Sequence, residues 1–325
     1  MIDYFKGRFT YKNELEELLR ANKSLDLNQK FKVNDSSIEY PLKTNIQNLS
    51  IKVYDGYASI EHSLHTFFNK TIGDGVENSN DFSFCDLQAS LDRLEETLGY
   101  DLGDISLNVL EFGLNIDLGI NPSLFLERYV LMHKLKTPCY DPKNNKKMRI
   151  KKFTYEEYEI KIYDKSLQFA GLINNPNILR VEVKYKTKKQ LNRLGIYNLN
   201  DLRRFDCIRV LYHDYLNKLS HLNIVDRYDG NRLMTKKQSN EILTYTHPSY
   251  WIDTRGNFSA STFQKRKEKF SKLVKKFNLD SWKSELFKFI KSKFTHLSYS
   301  DCETYDSAPF LMNDEYYYSD NVLIG

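Results

Sequence analysis

The sequence of 325 residues has little glycine (13) and less proline (7), which excludes a collagen-like or linker-like chain. No apolar run approaches the ~18 to 20 residues of a membrane span. The opening segment MIDYFKGRFTYKNELEELLR is charged throughout, so no signal peptide is expected. Cysteine is scarce: Cys85, Cys139, Cys207 and Cys302 form no CxxC pair and no zinc-ligand spacing. Reduced thiols are expected, with neither a disulfide framework nor a structural zinc site. The histidines include His62 and His65 in HSLH but no His-apolar-His triplet, which disfavours a nuclease whose metal site is that triplet. What is present, 41% apolar residues with abundant Tyr, Phe and Ile at a net charge of +5, suffices for a real core and argues against global disorder. A soluble intracellular chain is expected.

Charge is unevenly placed. His133–Lys152 carries eight Lys/Arg against one acid, and Phe263–Lys293 eleven against three; residues 300–325 carry six acids and no Lys or Arg. Lys outnumbers Arg 34 to 14, a skew that an A/T-rich gene also produces, so placement says more than the sum. Periodicity predicts strands at Lys30–Val33, Ile51–Tyr54, Ser106–Asp117, Tyr155–Asp164 and Ile178–Lys186. It predicts helices at Tyr11–Leu19, Phe84–Leu98, Ser123–Leu131, Leu199–Leu216, Ser261–Phe277 and Ser281–Phe294. Strands and helices without regular βαβ spacing indicate an α+β fold, with a mainly antiparallel curved sheet and flanking helices, followed by a basic helical C-terminal region. The expected division is residues 1–200 as the sheet-containing domain, 201–299 as a helical basic region and 300–325 as an acidic tail.

Alternation along three strands is the most informative pattern. In VLEFGLNIDL, Leu110, Phe112, Leu114, Ile116 and Leu118 share one face; Glu111, Gly113, Asn115 and Asp117 take the other. In EIKIYDK, Ile160 and Ile162 oppose Glu159, Lys161, Tyr163 and Lys165. In LRVEVKYK, Leu179, Val181, Val183 and Tyr185 oppose Arg180, Glu182, Lys184 and Lys186. A sheet burying the apolar faces would present the polar ones together to solvent or ligand. That face would hold two carboxylates, Glu111 and Glu182, which repel unless a divalent cation lies between them. It would also hold Tyr163 among lysines, where positive charge favours the phenolate nucleophile, and cations that attract a phosphate backbone. The same alternation also fits a plain solvated sheet face.

At these residues KIYDKSLQ, ILRVEVKYK and LNRLGIYNLNDL resemble the rolling-circle replication initiators. The likeness is to phage and plasmid replication proteins of the filamentous-phage gene-two/gene-X type, related to the plasmid Rep/relaxase group. Upstream, HSLHTFFNK, NDFSFCDL and LEFGLNI resemble other segments of the same pattern in the same order, although HSLH departs from the Gly-Ser-Leu-His-like turn that related chains carry. The resemblance implies site-specific DNA nicking and strand transfer through a 5′-phosphotyrosine, with Tyr163 as nucleophile. It places Lys161, Lys165 and Arg180 beside the phosphate, and Glu111 and Glu182 at acidic metal-site positions for a Mg²⁺ or Mn²⁺ ion; Asn115 and Asp164 are secondary candidates, as metal ligand or water holder. Lys184, Lys186, Lys146, Lys147 and Arg149 are expected to contact DNA. The implied partners are origin DNA, single-stranded or melted, and host helicase and polymerase, in a bacterial host cytoplasm without membrane attachment.

Two other readings stay open: a DNA-binding initiator or regulator that does not cut, and a mobilisation relaxase with the same chemistry. His65 reads more readily as a structural hydrogen-bonder than as a ligand. The basic helix Phe263–Phe277 reads equally as a packed amphipathic face or a backbone-contacting DNA element. Tyr316, Tyr317 and Tyr318 lie among acids and make poor nucleophiles.

Overall fold

Long alternating segments with β-branched and aromatic residues pair into one large antiparallel sheet. The structure is a computed structural model and describes residues 1–22, 25, 27–31, 38–73, 78–139, 142–227 and 233–299. The expected acidic tail with its three tyrosines, Cys302, and Lys32 and Val33 of one expected strand lie outside the described residues. In chain order the strands are β1 (Ile2–Phe9), β2 (Asn28–Phe31), β3 (Ile38–Ile46), β4 (Leu49–Val53), β5 (Ala58–Ser63), β6 (Ile105–Asp117), β7 (Val130–His133), β8 (Ile150–Thr154), β9 (Tyr158–Asp164), β10 (Ile178–Tyr185) and β11 (Leu222–Ile224). The α-helices are α1 (Lys12–Ala21), α2 (Leu64–Ile72), α3 (Phe84–Leu98), α4 (Pro122–Arg128), α5 (Pro142–Met148), α6 (Lys165–Gln168), α7 (Lys188–Arg193), α8 (Phe205–Ser220), α9 (Lys236–Thr246), α10 (Pro248–Asn257), α11 (Ala260–Lys276) and α12 (Ser281–Tyr299).

Nine strands form the main sheet in the order β2-β3-β4-β5-β1-β6-β10-β9-β8, and β11 pairs with β7 in a separate two-stranded sheet. Every described pairing in the main sheet is antiparallel. This is the α+β architecture that the alternation predicts. The apolar face of β6 is buried as expected, with Leu110, Phe112, Leu114 and Ile116 in the core beside Val181 and Val183 of β10 and Ile160 and Ile162 of β9.

Residues beyond 200 divide between two cores. Helix α8 packs Ile208, Leu211 and Tyr215 against the sheet, and α12 returns to it with Leu286, Ile290 and Phe294. The Tyr215 hydroxyl donates to the Val181 carbonyl at 3.2 Å, and the Phe294 ring stacks on Tyr212. Helices α9, α10 and α11 instead build a smaller core around Trp251, with Ile242, Tyr245, Phe270 and Leu273. Strand β7 joins the two: Val130 belongs to the sheet core and Met132 to the smaller one.

Helix ends follow their sequence signals. Ser83 and Asp86 cap α3 reciprocally, and Gly99 closes it in the left-handed region at φ 63°. Cys139 and Cys207 are free thiols, whereas Cys85 is disulfide-bonded. The expectation of reduced thiols is corrected there, because spacing along a chain does not report which cysteines the fold brings together. Among the described residues, no helix is long and apolar enough to cross a membrane.

Candidate active site

Four neighbouring strands, β1, β6, β10 and β9, each project a functional side chain onto one face. Their register sets the arrangement. Arg180 lies opposite Asn115 on one side and Tyr163 on the other. Glu182 lies opposite Gly113 and Lys161, and Lys184 opposite Glu111 and Glu159. Gly113 leaves the room this needs: a Cβ there would stand 2.7 Å from the Glu182 Cγ and 3.1 Å from the Arg180 Nη2. The side chains of Glu182 and Arg180 therefore lie over the bare backbone of β6.

A third carboxylate, which the sequence reading missed, completes the group. Asp3, Glu111 and Glu182 each offer an oxygen within 4.8 Å of the others, and all three residues are buried. Asp3 arrives by an irregularity in β1. Ile2 pairs with Phe112 and Phe5 with Leu110, so Asp3 and Tyr4 together span the single residue Glu111. The only sequence trace of that bulge is the three-residue step between the core residues Ile2 and Phe5, where strict alternation would give two.

Cations neutralise much of this charge. Arg180 Nε donates to Glu182 Oε1 at 2.9 Å, and its Nη2 lies 3.6 Å from Asp3 Oδ2. Lys161 Nζ sits 3.0 Å from Glu111 Oε2 and 3.5 Å from Glu182 Oε2. Burial opposes ionisation of both glutamates, but Lys161 and Arg180 outweigh it at Glu182, whose carboxyl is held below the usual range. Glu111 is pushed upward, by burial first and by the neighbouring Glu182 second. Of the pair, Glu111 is the carboxyl that takes a proton more readily.

The Tyr163 hydroxyl donates to Glu182 Oε1 at 2.9 Å. Its ring is close to Lys165, whose Nζ stands 6.0 Å from the centroid. The expected activation of the phenol by cations is corrected: burial and the Glu182 charge raise its pKa well above the ordinary value, and Arg180 only partly offsets them. Lys165 is fully buried; its Nζ donates to Asn78 Oδ1 at 2.9 Å and lies over the Phe169 ring.

The expectation of an open polar face is also corrected. Tyr163 is only 6% exposed, because the segment from Asn78 to Phe82 lies across the cluster. Asn78 donates to Asp3 Oδ2, Asn115 donates to the Asn80 carbonyl at 2.9 Å, and the N-terminal ammonium donates to the Phe82 carbonyl. His65 holds this cover from the far side, donating from Nε2 to Asn80 Oδ1 at 2.7 Å with its ring stacked on Phe82. Burial keeps its imidazole neutral, with a pKa lowered to about 3.

Other expected residues serve different ends. Asn115, expected as a ligand, accepts from Arg180 Nη1 at 3.1 Å and so orients the guanidinium. Asp164 caps α6 through the Leu167 amide and accepts from the Ser123 hydroxyl, which engages both of its oxygens. Lys184 lies 4.2 Å from the centroid of Tyr4, and Lys186 donates to the Tyr155 carbonyl at 2.7 Å. Lys146 and Lys147 are exposed on α5, and Arg149 is 3.7 Å from Glu127. These three precede Ile150, which pairs with Tyr163, so the basic segment reaches the Tyr163 end of the sheet.

Comparisons with known proteins add little to this geometry. No protein-family model matches the chain, and no curated protein matches it. Among solved structures it is similar to a rolling circle replication initiator protein from Geobacillus stearothermophilus. The identity is 10%, the superposition covers 72% of this chain and 89% of that one, and the TM-score is 0.36. A likeness so distant carries no weight for activity.

Proposed function

We propose that the chain is a DNA nicking and joining enzyme that initiates rolling-circle replication, with Tyr163 as its nucleophile. One observation carries this reading: the Tyr163 hydroxyl contacts Glu182 at 2.9 Å inside a group of three carboxylates. In the proposed reaction the phenol oxygen bonds to the phosphorus of the scissile phosphodiester, and the bond from phosphorus to the 3′ oxygen breaks. The phenol proton passes to water while the hydrogen bond to Glu182 holds the oxygen in place for attack, and the departing 3′ oxygen takes its proton from water. The products are a 5′-phosphotyrosine and a free 3′-hydroxyl for a host polymerase to extend, with a host helicase opening the duplex ahead. Attack by a new 3′-hydroxyl on the phosphotyrosine rejoins the strand without ATP, since the ester bond is conserved. In this reading Arg180 and Lys161 stabilise charge developing on the phosphate oxygens.

The donor set suits a Mg²⁺ or Mn²⁺ ion: three carboxylate oxygens within 4.8 Å of one another are hard ligands. Asp3, Glu111 and Glu182 would hold the ion, which when bound supplies Lewis-acid polarisation of the phosphate. In this reading residues 1–200 carry the chemistry and residues 201–299 add DNA contacts, with origin DNA, single-stranded or melted, as the substrate.

The burial of the phenol favours a competing reading, a DNA-binding initiator that does not cut. One assay separates them. The protein is incubated with supercoiled DNA from its own replicon and Mn²⁺, and the adduct is located by mass spectrometry. A covalent DNA adduct on Tyr163, lost in Tyr163→Phe with DNA affinity retained, supports the enzyme; metal-independent binding without any nick supports the binder.

A further inference from the structure

Helices α9, α10 and α11 enclose an open cleft of about 780 Å³ on the side of the molecule built on the smaller core. Its walls carry Lys236 and Lys237 of α9, and Lys265, Arg266 and Lys269 of α11. A single acid, Glu241, lines it, already paired with Lys269 at 2.6 Å. Among the described residues, no other of these five cations takes part in an ion pair. We propose that this cleft is a second DNA contact, distinct from the carboxylate site, that grips the sugar-phosphate backbone of a duplex.

Three features point to that occupant. First, α11 is divided cleanly. Phe270 and Leu273 are buried in the smaller core, with Phe263 and Val274 packed against it. On another side, Lys265, Lys269, Lys272 and Lys276 recur at helical spacing and are exposed. These four span about 16 Å of helix axis, a length that follows successive phosphates of one strand. The amphipathic face and the DNA element, equal alternatives in the sequence, are two sides of one helix.

Second, the charges are placed against helix stability. Lys236 and Lys237 occupy the first turn of α9, where the helix dipole disfavours cations, and the first turn of α11 has no acid. A positive field gathered there suits an anion that spans both helices. Third, the cleft offers backbone chemistry rather than stacking platforms. Thr244, Thr262 and Asn240 supply neutral hydrogen-bonding groups of the kind that contact phosphate. Its tyrosines are not offered flat to bases: Tyr245 is buried in the core, and the Tyr250 hydroxyl is held by Arg266. Single-strand grooves depend on exposed rings, so the duplex is the better fit.

The test uses the full chain in the Tyr163→Phe background, so that no cleavage is needed to read it. Binding of a labelled random-sequence duplex is followed by fluorescence anisotropy between ~50 and ~200 mM salt. The variant combines Lys236→Gln, Lys237→Gln, Lys265→Gln and Lys272→Gln. Expected are a roughly 10- to 100-fold loss of affinity and a log–log salt slope shallower by about 3 to 4, near 0.9 for each contact removed. Replacing the same four by Arg should restore both. All four positions are exposed and two oppose the dipole, so the melting temperature should not fall. Unchanged affinity and slope would overturn the proposal. So would a loss seen only with single-stranded DNA. The nicking assay is scored separately, so the catalytic reading and this one fail independently.

Discussion

The two charged regions of this molecule treat cations in opposite ways. On the sheet face, Arg180 and Lys165 are buried and Lys161 is partly buried, and each is held by a named partner. In the helical region, Lys236, Lys237, Lys265 and Lys272 stand in solvent on the outside of a small apolar core. A buried charge costs several kcal/mol of desolvation unless its partners are fixed, so the sheet cluster is rigidly specified and its geometry carries chemistry. An exposed charge costs little and gains by releasing counterions from a polyanion. The contrast teaches that the chain's basic character has two origins, of which only one shapes the fold.

The largest expected effect tests the sheet side. Tyr163→Phe should lower metal-dependent nicking by at least ~10³-fold while leaving duplex affinity within a factor of two or so; a gel assay on supercoiled DNA reads both arms, and retained nicking ends the assignment. Next, Arg180→Ala strips Glu182 and Asp3 of their buried partner and should destabilise the protein by about 3 to 5 kcal/mol. Lys272→Gln on the helical side should stay within about 0.5 kcal/mol. Denaturant unfolding of the two variants side by side would erase the contrast if their losses were equal.

The seam between the regions gives a pH test. His133 is buried, with Nε2 donating to the Lys218 carbonyl and Nδ1 taking the Tyr155 hydroxyl. Burial lowers its pKa to about 4. The unfolded chain therefore binds this proton first on acidification. The contribution is complete above about pH 6.5 and is lost as pH falls towards 4, by up to about 3 kcal/mol. The difference in unfolding free energy between parent and His133→Gln should shrink over that window; a constant difference would contradict the assignment.

Binding of Mn²⁺ sharpens the comparison further. At 100 times its dissociation constant the ion should stabilise the protein by about 2.7 kcal/mol, and Asp3→Asn should remove most of that gain. An equal shift in the variant would take Asp3 out of the ligand set. Gly113→Ala is expected to cost about 2 kcal/mol from the contact with Glu182; calorimetric melting is the measurement.

Much of this arrangement is legible in the sequence. The alternation of β6, β9 and β10 brings Glu111, Tyr163, Arg180 and Glu182 to one face, because side chains on a strand repeat with period two and the pairing preserves it. What is hidden depends on departures from that period. Asp3 reaches the site through a bulge, and the covering residues Asn78 and Asn80 sit in a loop where no periodicity exists. Helices α9 and α10 are missing from the sequence reading since their apolar residues are few and serve a small core. The exposure of the polar face could not be read either, as alternation tells which side a residue takes and not what lies above it.

Gly113 carries one more consequence. Slide β6 by a single residue against β10, and either Phe112 or Leu114 would come to lie where the backbone is now bare. A full aromatic or aliphatic side chain cannot share that space with the Glu182 and Arg180 groups. The missing side chain therefore acts as a key to the pairing: it leaves this strand one alignment out of the several that a long, mostly apolar segment would otherwise tolerate.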